Sequence, residues 1–157
     1  MLIDKDIKYL VVHCSDTEDS INLRALDIHK MHLNFGWDGI GYHKVICRDG
    51  KIENGRPEYW IGAHVYGKNQ ESLGVCLIGR KKFTNEQFYS LSNLLLNWKN
   101  KYPNAKVVGH NFFESTKKTC PNFDVQKWLS YEFKKFKVKQ ITVESASINK
   151  NPTIYSP

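Results

Sequence analysis

Three side chains of this sequence could share one metal ion. Two of them lie at the ends of predicted strands, and the third lies in a polar loop. His13 ends the apolar run Leu10-Val-Val-His13, His110 follows Val107-Val-Gly109, and Cys120 comes ten positions later in a lysine-bearing loop. Two imidazoles and one thiolate bind Zn²⁺ tetrahedrally and leave a fourth position for water, which is typical of catalytic zinc sites. Such an ion lowers the pKa of its bound water to about 7 and polarises a carbonyl. These residue types predict an open Zn²⁺ site suited to hydrolysis of an unactivated amide.

The spacing of the three residues is not a compact motif such as HExxH, so spacing alone leaves three unrelated side chains as the alternative. The site requires the strands that end at His13 and His110 to be near neighbours in one sheet. Their imidazoles would then meet at one rim, and the ten-residue step to Cys120 is long enough for the loop to curl back. The prediction therefore depends on sheet topology.

The other histidines and cysteines of the first half favour packing roles. His29 and His32 are three positions apart on a predicted helix and are interpreted as surface or packing residues rather than ligands. Cys47 and Cys76 lie in apolar runs, which predict small buried side chains. Cys14 follows His13 directly, and the pattern leaves it either structural or solvent-facing.

Strands and helices must alternate to position these residues. The apolar pattern predicts strands at residues 7–13, 42–48, 51–54, 73–78 and 106–108, and helices at about 22–35, 85–102 and 123–136. Asn22 is a candidate N-cap of the first helix, and Thr84 with Gln87 forms a capping box for the second. Asp49-Gly50 favours a tight primed hairpin turn. The alternation predicts an α/β domain with a mixed central sheet flanked by helices.

Composition limits the class of protein. The chain has 157 residues, 41% hydrophobic and 25% charged, which fits one globular domain and excludes a disordered chain. No apolar run is long enough for membrane insertion, and the absence of an apolar leader predicts a cytoplasmic location. A net charge of +7 favours a polyanionic partner: nucleic acid, an anionic membrane surface or a cell-wall polymer.

The chain divides into residues 1–137, the predicted domain, and residues 138–157, a polar tail. Ser, Thr, Asn, Lys and Pro dominate the tail, which predicts a flexible or partner-docked extension. The alternative is an added edge strand around Ile141 and Val143. Lys134, Lys135 and neighbouring lysines also keep a nucleic-acid binder open, although no groove-reading helix or stacking pattern accompanies them.

Several separated motifs within residues 7–130 together resemble the zinc-dependent N-acetylmuramoyl-L-alanine amidases of the phage T7 lysozyme and peptidoglycan-recognition-protein type. The motifs, in chain order, are Val12-His-Cys-Ser15, Gly36-Trp37, Gly41-Tyr-His-Lys-Val-Ile46 with Arg48-Asp-Gly50, Gly62-Ala-His64, Asn69 with Ser72-Leu-Gly-Val75, Val108-Gly-His110 and Lys118-Thr-Cys-Pro121. The resemblance implies the amidase fold of that family. The sequence departs from the family pattern between Asn111 and Lys117.

The resemblance also implies residue roles. The implied zinc ligands are His13, His110 and Cys120; the implied catalytic residues are Tyr42 and Lys118; the implied substrate-binding residues are His64, Asn69 and Trp37. Lys118 would stabilise the oxyanion and Tyr42 would position or activate water, with the identity of the general base left open. His43 is interpreted as a core residue or a support for the site.

The function implied by the resemblance is cleavage of the amide between N-acetylmuramic acid and L-alanine in bacterial peptidoglycan. Together with the chain's small size, it predicts a monomeric phage or prophage endolysin that accumulates in the bacterial cytoplasm and then lyses the wall. The resemblance leaves one alternative, a peptidoglycan-binding module that does not cut. No nucleic acid is expected as a partner.

Overall fold

The computed structural model describes residues 1–2, 6–113 and 118–132. Its strands are β1 (Tyr9–Cys14), β2 (Lys44–Ile46), β3 (Ile52–Asn54), β4 (Ser72–Leu77) and β5 (Lys106–Gly109). Its helices are α1 (Ala25–Asn34), α2 (Asn85–Lys101) and a third that includes residues 125–132. The predicted end of that third helix at 136, the domain boundary at 137 and the tail at 138–157 lie outside the described residues.

The five strands form one mixed sheet in the order β3-β2-β4-β1-β5. β1 lies between β4 and β5 and runs parallel to both, while β2 is parallel to β4 and antiparallel to β3. The predicted α/β class with a mixed sheet is confirmed. Parallel neighbours bring the carboxyl ends of β1, β4 and β5 to the same edge of the sheet, where ligands bind in many α/β folds.

Strand alternation separates the two faces of β1. Leu10 and Val12 enter the large core that contains Trp98 of α2. Val11 packs instead with Val108 of β5 in a cluster on the other face. Because side chains alternate along a strand, His13 lies on the same face as Val11 and away from α2.

Local capping signals account for α2. The Thr84 hydroxyl accepts a hydrogen bond from the backbone N–H of Gln87 at 3.0 Å, and the Gln87 side chain accepts one from the N–H of Thr84. Leu91, Leu94 and Trp98 on one face of the helix are buried in the large core. The predicted capping box and apolar stripe are confirmed.

Two local predictions are wrong. Asn22 does not cap α1: the carboxylate of Asp27 accepts from the backbone N–H of Arg24 at 2.7 Å, and Asn22 Oδ1 accepts from the N–H of Arg48. Asp49-Gly50 does not form a primed turn. The N–H of Gly50 donates to the carbonyl of Cys47, so Arg48 and Asp49 are the central residues of the turn, and neither has the positive φ of a primed turn; Gly50, at φ 85°, follows them. The hairpin itself is confirmed.

Candidate active site

The two predicted histidine ligands meet at the carboxyl edge of the sheet. β1 and β5 are parallel neighbours with Val12 opposite Gly109, so the residues that follow, His13 and His110, emerge side by side. Their ring centroids are 4.6 Å apart, and both side chains are buried. The predicted convergence of the two imidazoles is confirmed.

Cys120 reaches the same edge from the loop that follows β5. Its carbonyl accepts a hydrogen bond from the backbone N–H of Asn111 at 2.9 Å, which ties the loop to the end of β5. Its Sγ accepts one from the backbone N–H of Cys14 at 3.1 Å. One ligand atom each of His13, His110 and Cys120 lies within 4.8 Å of the others, so the three can hold one ion. Two imidazoles and a thiol are a donor set that fits Zn²⁺.

The surroundings keep both histidines neutral. Burial, followed by the neighbouring His64 and His110 imidazoles, holds the pKa of His13 well below its ordinary value. Burial, with a smaller effect of the Lys118 ammonium, lowers the pKa of His110 to about 4. Neutral imidazoles at physiological pH are the protonation state that a metal ligand requires.

The Cys120 thiol behaves differently from the imidazoles. Contact with the Cys14 thiol, followed by burial, raises the pKa of Cys120 above the usual range of a cysteine. A cation at the site would reverse this preference, because a coordinating thiol gives up its proton. Cys14 is thus a buried structural neighbour of the site, which decides between the two alternatives that the sequence left open.

Tyr42 and Lys118 both lie beside the cluster. The Tyr42 ring is 5.0 Å from that of His13, and burial raises the pKa of its phenol well above 10. Lys118 lies on the exposed side, two residues before Cys120. Both side chains line the same cavity as the three candidate ligands. A phenol that keeps its proton and a lysine ammonium are hydrogen-bond donors suited to an oxyanion.

The cavity above the cluster has a volume of about 450 Å³. One wall is aromatic: the Trp37 ring packs at a tilt against His32, with ring centroids 4.7 Å apart, and edge-on against Phe35 at 5.6 Å. Trp37 is 46% exposed, so its ring can face a bound ligand. The predicted contact of Trp37 with substrate remains a prediction that this position favours.

His64 lies behind His13 rather than on the open side. Its Nδ1 is 2.9 Å from Nε2 of His13, and its Nε2 is 3.2 Å from Oγ of Ser72. Both ring nitrogens therefore have protein partners, although the ring also lines the cavity. The predicted substrate contact of His64 stays a prediction; its hydrogen bonds point to support of His13.

The Asn69 side chain forms hydrogen bonds within the loop before β4. Its Oδ1 accepts hydrogen bonds from the backbone N–H groups of His64, at 2.8 Å, and Val65, at 2.9 Å. Within the described ranges, the residues that line the cavity do not include Asn69. Its predicted substrate contact stays a prediction, while its visible contacts hold the segment that carries His64.

The remaining histidines take packing roles. His29 Nδ1 accepts from the N–H of Ile40, and His32 Nδ1 accepts from the N–H of Gly41, both at 3.0 Å. His43 is fully buried and bonds the N–H of Gly74 and the carbonyl of Trp60. Their interpretation as packing or core residues agrees with these contacts.

Sequence reasoning missed two residues of the site. Cys14 supplies the backbone N–H that donates to the Cys120 sulfur. Its position next to His13 was the sequence feature that could have indicated this role. Ser72 contacts His64 at the start of β4, and only its place in the motif Ser72-Leu-Gly-Val75 marked it. Both roles depend on contacts between segments far apart in the chain.

Two histidines and one cysteine that could hold a metal ion lie in one cavity beside a phenol and an ammonium group. Residues 3–123 match the family model described as N-acetylmuramoyl-L-alanine amidase, Amidase_2. The endolysin of Escherichia phage T7 is 39% identical over 127 residues, which cover 76% of this chain and 83% of that protein. The chain belongs to the N-acetylmuramoyl-L-alanine amidase family.

Solved structures agree with this assignment. The N-acetylmuramoyl-L-alanine amidase LysC from Clostridium intestinale superposes with a TM-score of 0.72 at 29% identity, covering 82% of this chain and 86% of that one. Bumblebee PGRP-SA superposes with a TM-score of 0.71 at 29% identity, covering 82% and 83%. The amidase fold implied by the resemblance is thereby confirmed. None of the helices in the described part of the chain combines the length and the apolar character that crossing a bilayer requires.

Proposed function

We propose that this chain is a zinc-dependent endolysin that cleaves the amide between N-acetylmuramic acid and L-alanine in peptidoglycan. The observation that carries the proposal is the approach of ligand atoms of His13, His110 and Cys120 to within 4.8 Å of one another. With three protein ligands, a tetrahedral ion keeps one position open, as hydrolytic sites do. Zn²⁺ held there would supply a Lewis acid for the scissile carbonyl.

Tyr42 and Lys118 complete the proposed machinery. The Lys118 ammonium reaches the groove from its exposed side and is assigned to the negative charge that develops on the attacked carbonyl oxygen. Tyr42 keeps its proton because burial raises its pKa, so we assign its phenol to hydrogen-bond donation and to positioning of the attacking water. Removal of one oxyanion donor costs roughly 3 to 4 kcal/mol of transition-state stabilisation in a serine protease, and we expect a similar magnitude here.

The surface around the site suits a polymeric substrate. A second cavity of about 840 Å³ shares Asp16, Thr119 and Asn122 with the cavity above the cluster. We assign the two adjoining cavities to different parts of a polymeric substrate, with Trp37 as an aromatic wall of the smaller one. The net charge of +7 would draw the protein to anionic cell walls.

The cellular setting is inferred from the relatives. The similar proteins of phages T7 and K11 are endolysins, at 39% and 36% identity. We infer the same role here: synthesis inside an infected bacterium, followed by attack on the wall as a monomer. Peptidoglycan is the proposed partner, and nucleic acid is not.

The test compares the wild type with Cys120→Ser, and uses Cys47→Ala as the control for loss of a buried cysteine outside the site. Purified full-length proteins are assayed for zinc content and, by mass spectrometry, for products released from purified cell walls. The proposal expects one zinc per wild-type chain and release of stem peptides that begin with L-alanine. Cys120→Ser should bind walls without release, whereas Cys47→Ala should retain both zinc and cleavage.

Two results would overturn the proposal. A zinc-free wild-type preparation with full activity would remove the metal from the mechanism. Wall binding by the wild type without any released peptide would identify a recognition module instead of an enzyme.

A further inference from the structure

A chain of hydrogen bonds runs from the backbone into the candidate metal centre. The Ser72 hydroxyl donates to the carbonyl of Lys68 over 2.7 Å and lies 3.2 Å from Nε2 of His64. Nδ1 of His64 is in turn 2.9 Å from Nε2 of His13. Ser72 is fully buried, and the two imidazoles are nearly so.

The direction of these bonds follows from the first of them. A carbonyl oxygen only accepts, so the single hydroxyl proton of Ser72 points to Lys68 and Oγ must accept from Nε2–H of His64. A neutral His64 then has a bare Nδ1, which accepts from Nε2–H of His13. The proton of a neutral His13 is thus on Nε2, and the lone pair is on Nδ1.

We propose that Ser72 and His64 are positioning residues that hold His13 as the Nε2–H tautomer, with its Nδ1 lone pair aimed at the metal. Among the described residues, Nδ1 of His13 has no hydrogen-bond partner, so it is the ring nitrogen left for a cation. This inference rests on the zinc site of the proposed function. Partners that orient a ligand imidazole in this way are common around metal centres.

Strand β4 is shaped to admit the His64 ring. A Cβ atom at Gly74 would lie 2.6 Å from Nδ1 of His64, so only glycine leaves room for the imidazole to face His13 at this position. The backbone N–H of His64 is also bonded to Oδ1 of Asn69. Gly74 therefore leaves space for the ring of His64, and Asn69 holds its backbone.

The acceptor of the His13 proton is a neutral imidazole, where a carboxylate, a carbonyl or water is more usual. A carboxylate would add a full negative charge to the centre, whereas His64 adds none. The arrangement would hold the ring of His13 without adding a negative charge beside a bound cation.

The experiment uses the full chain as wild type, Ser72→Ala, Ser72→Thr and Ser90→Ala. Ser90 is the matched control, because it is a buried serine whose hydroxyl donates to a backbone carbonyl, that of Gly50, in another part of the fold. Long-range ¹H–¹⁵N spectra of the metal-free proteins report the tautomers of His13 and His64. Competition with a chromogenic chelator measures the affinity for Zn²⁺.

The proposal expects Nε2–H tautomers for both histidines in the wild type and a mixture in Ser72→Ala. Zinc affinity should fall roughly tenfold in Ser72→Ala, in line with the loss of outer partners at other metal sites. Ser72→Thr, which keeps the hydroxyl, should restore both readouts, and Ser90→Ala should bind zinc within about twofold of the wild type.

The proposal is overturned if the wild type carries the His13 proton on Nδ1, or if Ser72→Ala binds zinc as tightly as Ser90→Ala. The spectrum of the metal-free wild type decides the tautomer even if Ser72→Ala does not fold. Failure of the wild type to bind zinc would contradict the proposed function instead, so the two failures are distinguishable.

Discussion

The backbone N–H of Cys14 donates a hydrogen bond to Sγ of Cys120 across 3.1 Å, joining two residues 106 positions apart in the chain. Cys14 ends β1 directly after His13, so this bond holds the loop sulfur beside the first imidazole. An N–H donor also stabilises a thiolate, which is the form of cysteine that binds a metal. The contact therefore joins the sheet to the loop and favours the thiolate form of Cys120, which the proposed metal site requires.

Zinc binding should release about one proton per chain at pH 6.5. Contact with Cys14 and burial raise the pKa of Cys120, so its thiol is protonated without a cation, while His110, with a pKa of about 4, is already neutral. Titration of weakly buffered protein with Zn²⁺ and a pH indicator measures the release. Cys120→Ser should release no proton. Release of two protons per zinc would contradict the assignment of Cys120 as the single thiol ligand.

Tyr42→Phe should lower kcat by roughly 10²-fold and leave the zinc affinity unchanged. The reason is that the phenol is assigned to hydrogen-bond donation in the transition state and not to metal binding. The phenylalanine ring keeps the packing against His13, whose centroid is 5.0 Å away. Steady-state kinetics on soluble muropeptides and chelator competition give the two quantities. Full activity of Tyr42→Phe would remove the phenol from the mechanism, and a parallel loss of zinc would assign it a structural role.

His43 should make the fold less stable in acid. Burial lowers the pKa of His43 to about 4, below the value of about 6.5 for an unfolded histidine. The unfolded chain therefore binds more protons between these values, and stability is lost as the pH falls from about 6.5 toward 4.

The expected loss from His43 is about 3 kcal/mol in the free energy of unfolding between pH 7 and pH 4. Urea unfolding of the wild type and His43→Asn across this range measures it. The variant cannot titrate at this position, so its stability should vary less with pH. Parallel pH profiles for the two proteins would show that His43 does not carry the effect.

Thr84→Ala should destabilise the fold by about 1 kcal/mol, because the N–H of Gln87 loses its hydroxyl acceptor at the start of α2. Thr84 is not among the described residues that line the candidate catalytic cavity, so kcat on muropeptides should match the wild type. Chemical unfolding measures the stability. An unchanged midpoint would mean that other groups satisfy the helix terminus.

The parts of the fold that depend on neighbours in sequence could be predicted. The capping box of Thr84 and Gln87 lies within one helical turn, and the apolar stripe of α2 follows from helix periodicity alone. Asn22 failed as a cap because Asp27 caps the first turn of α1 and the hairpin takes the Asn22 side chain. Competition from a distant segment is invisible in a local pattern.

The convergence of the candidate ligands was predictable for a different reason. His13, near the end of β1, and His110, directly after β5, come together because the two strands are parallel neighbours. The orientation of the imidazoles was not predictable, because it depends on how His64 and Ser72 meet His13 in space. Sequence patterns locate the candidate ligands, but only the fold shows which nitrogen of the His13 ring has no hydrogen-bond partner among the described residues.

X-ray absorption at the zinc edge of the loaded, full-length protein tests the central claim most directly. The account predicts one sulfur at about 2.3 Å and three nitrogen or oxygen neighbours at about 2.0 to 2.1 Å, two of them imidazoles. That result matches His13, His110 and Cys120 with one position left for water. Two sulfurs, which would bring in Cys14, or no sulfur at all, would contradict it.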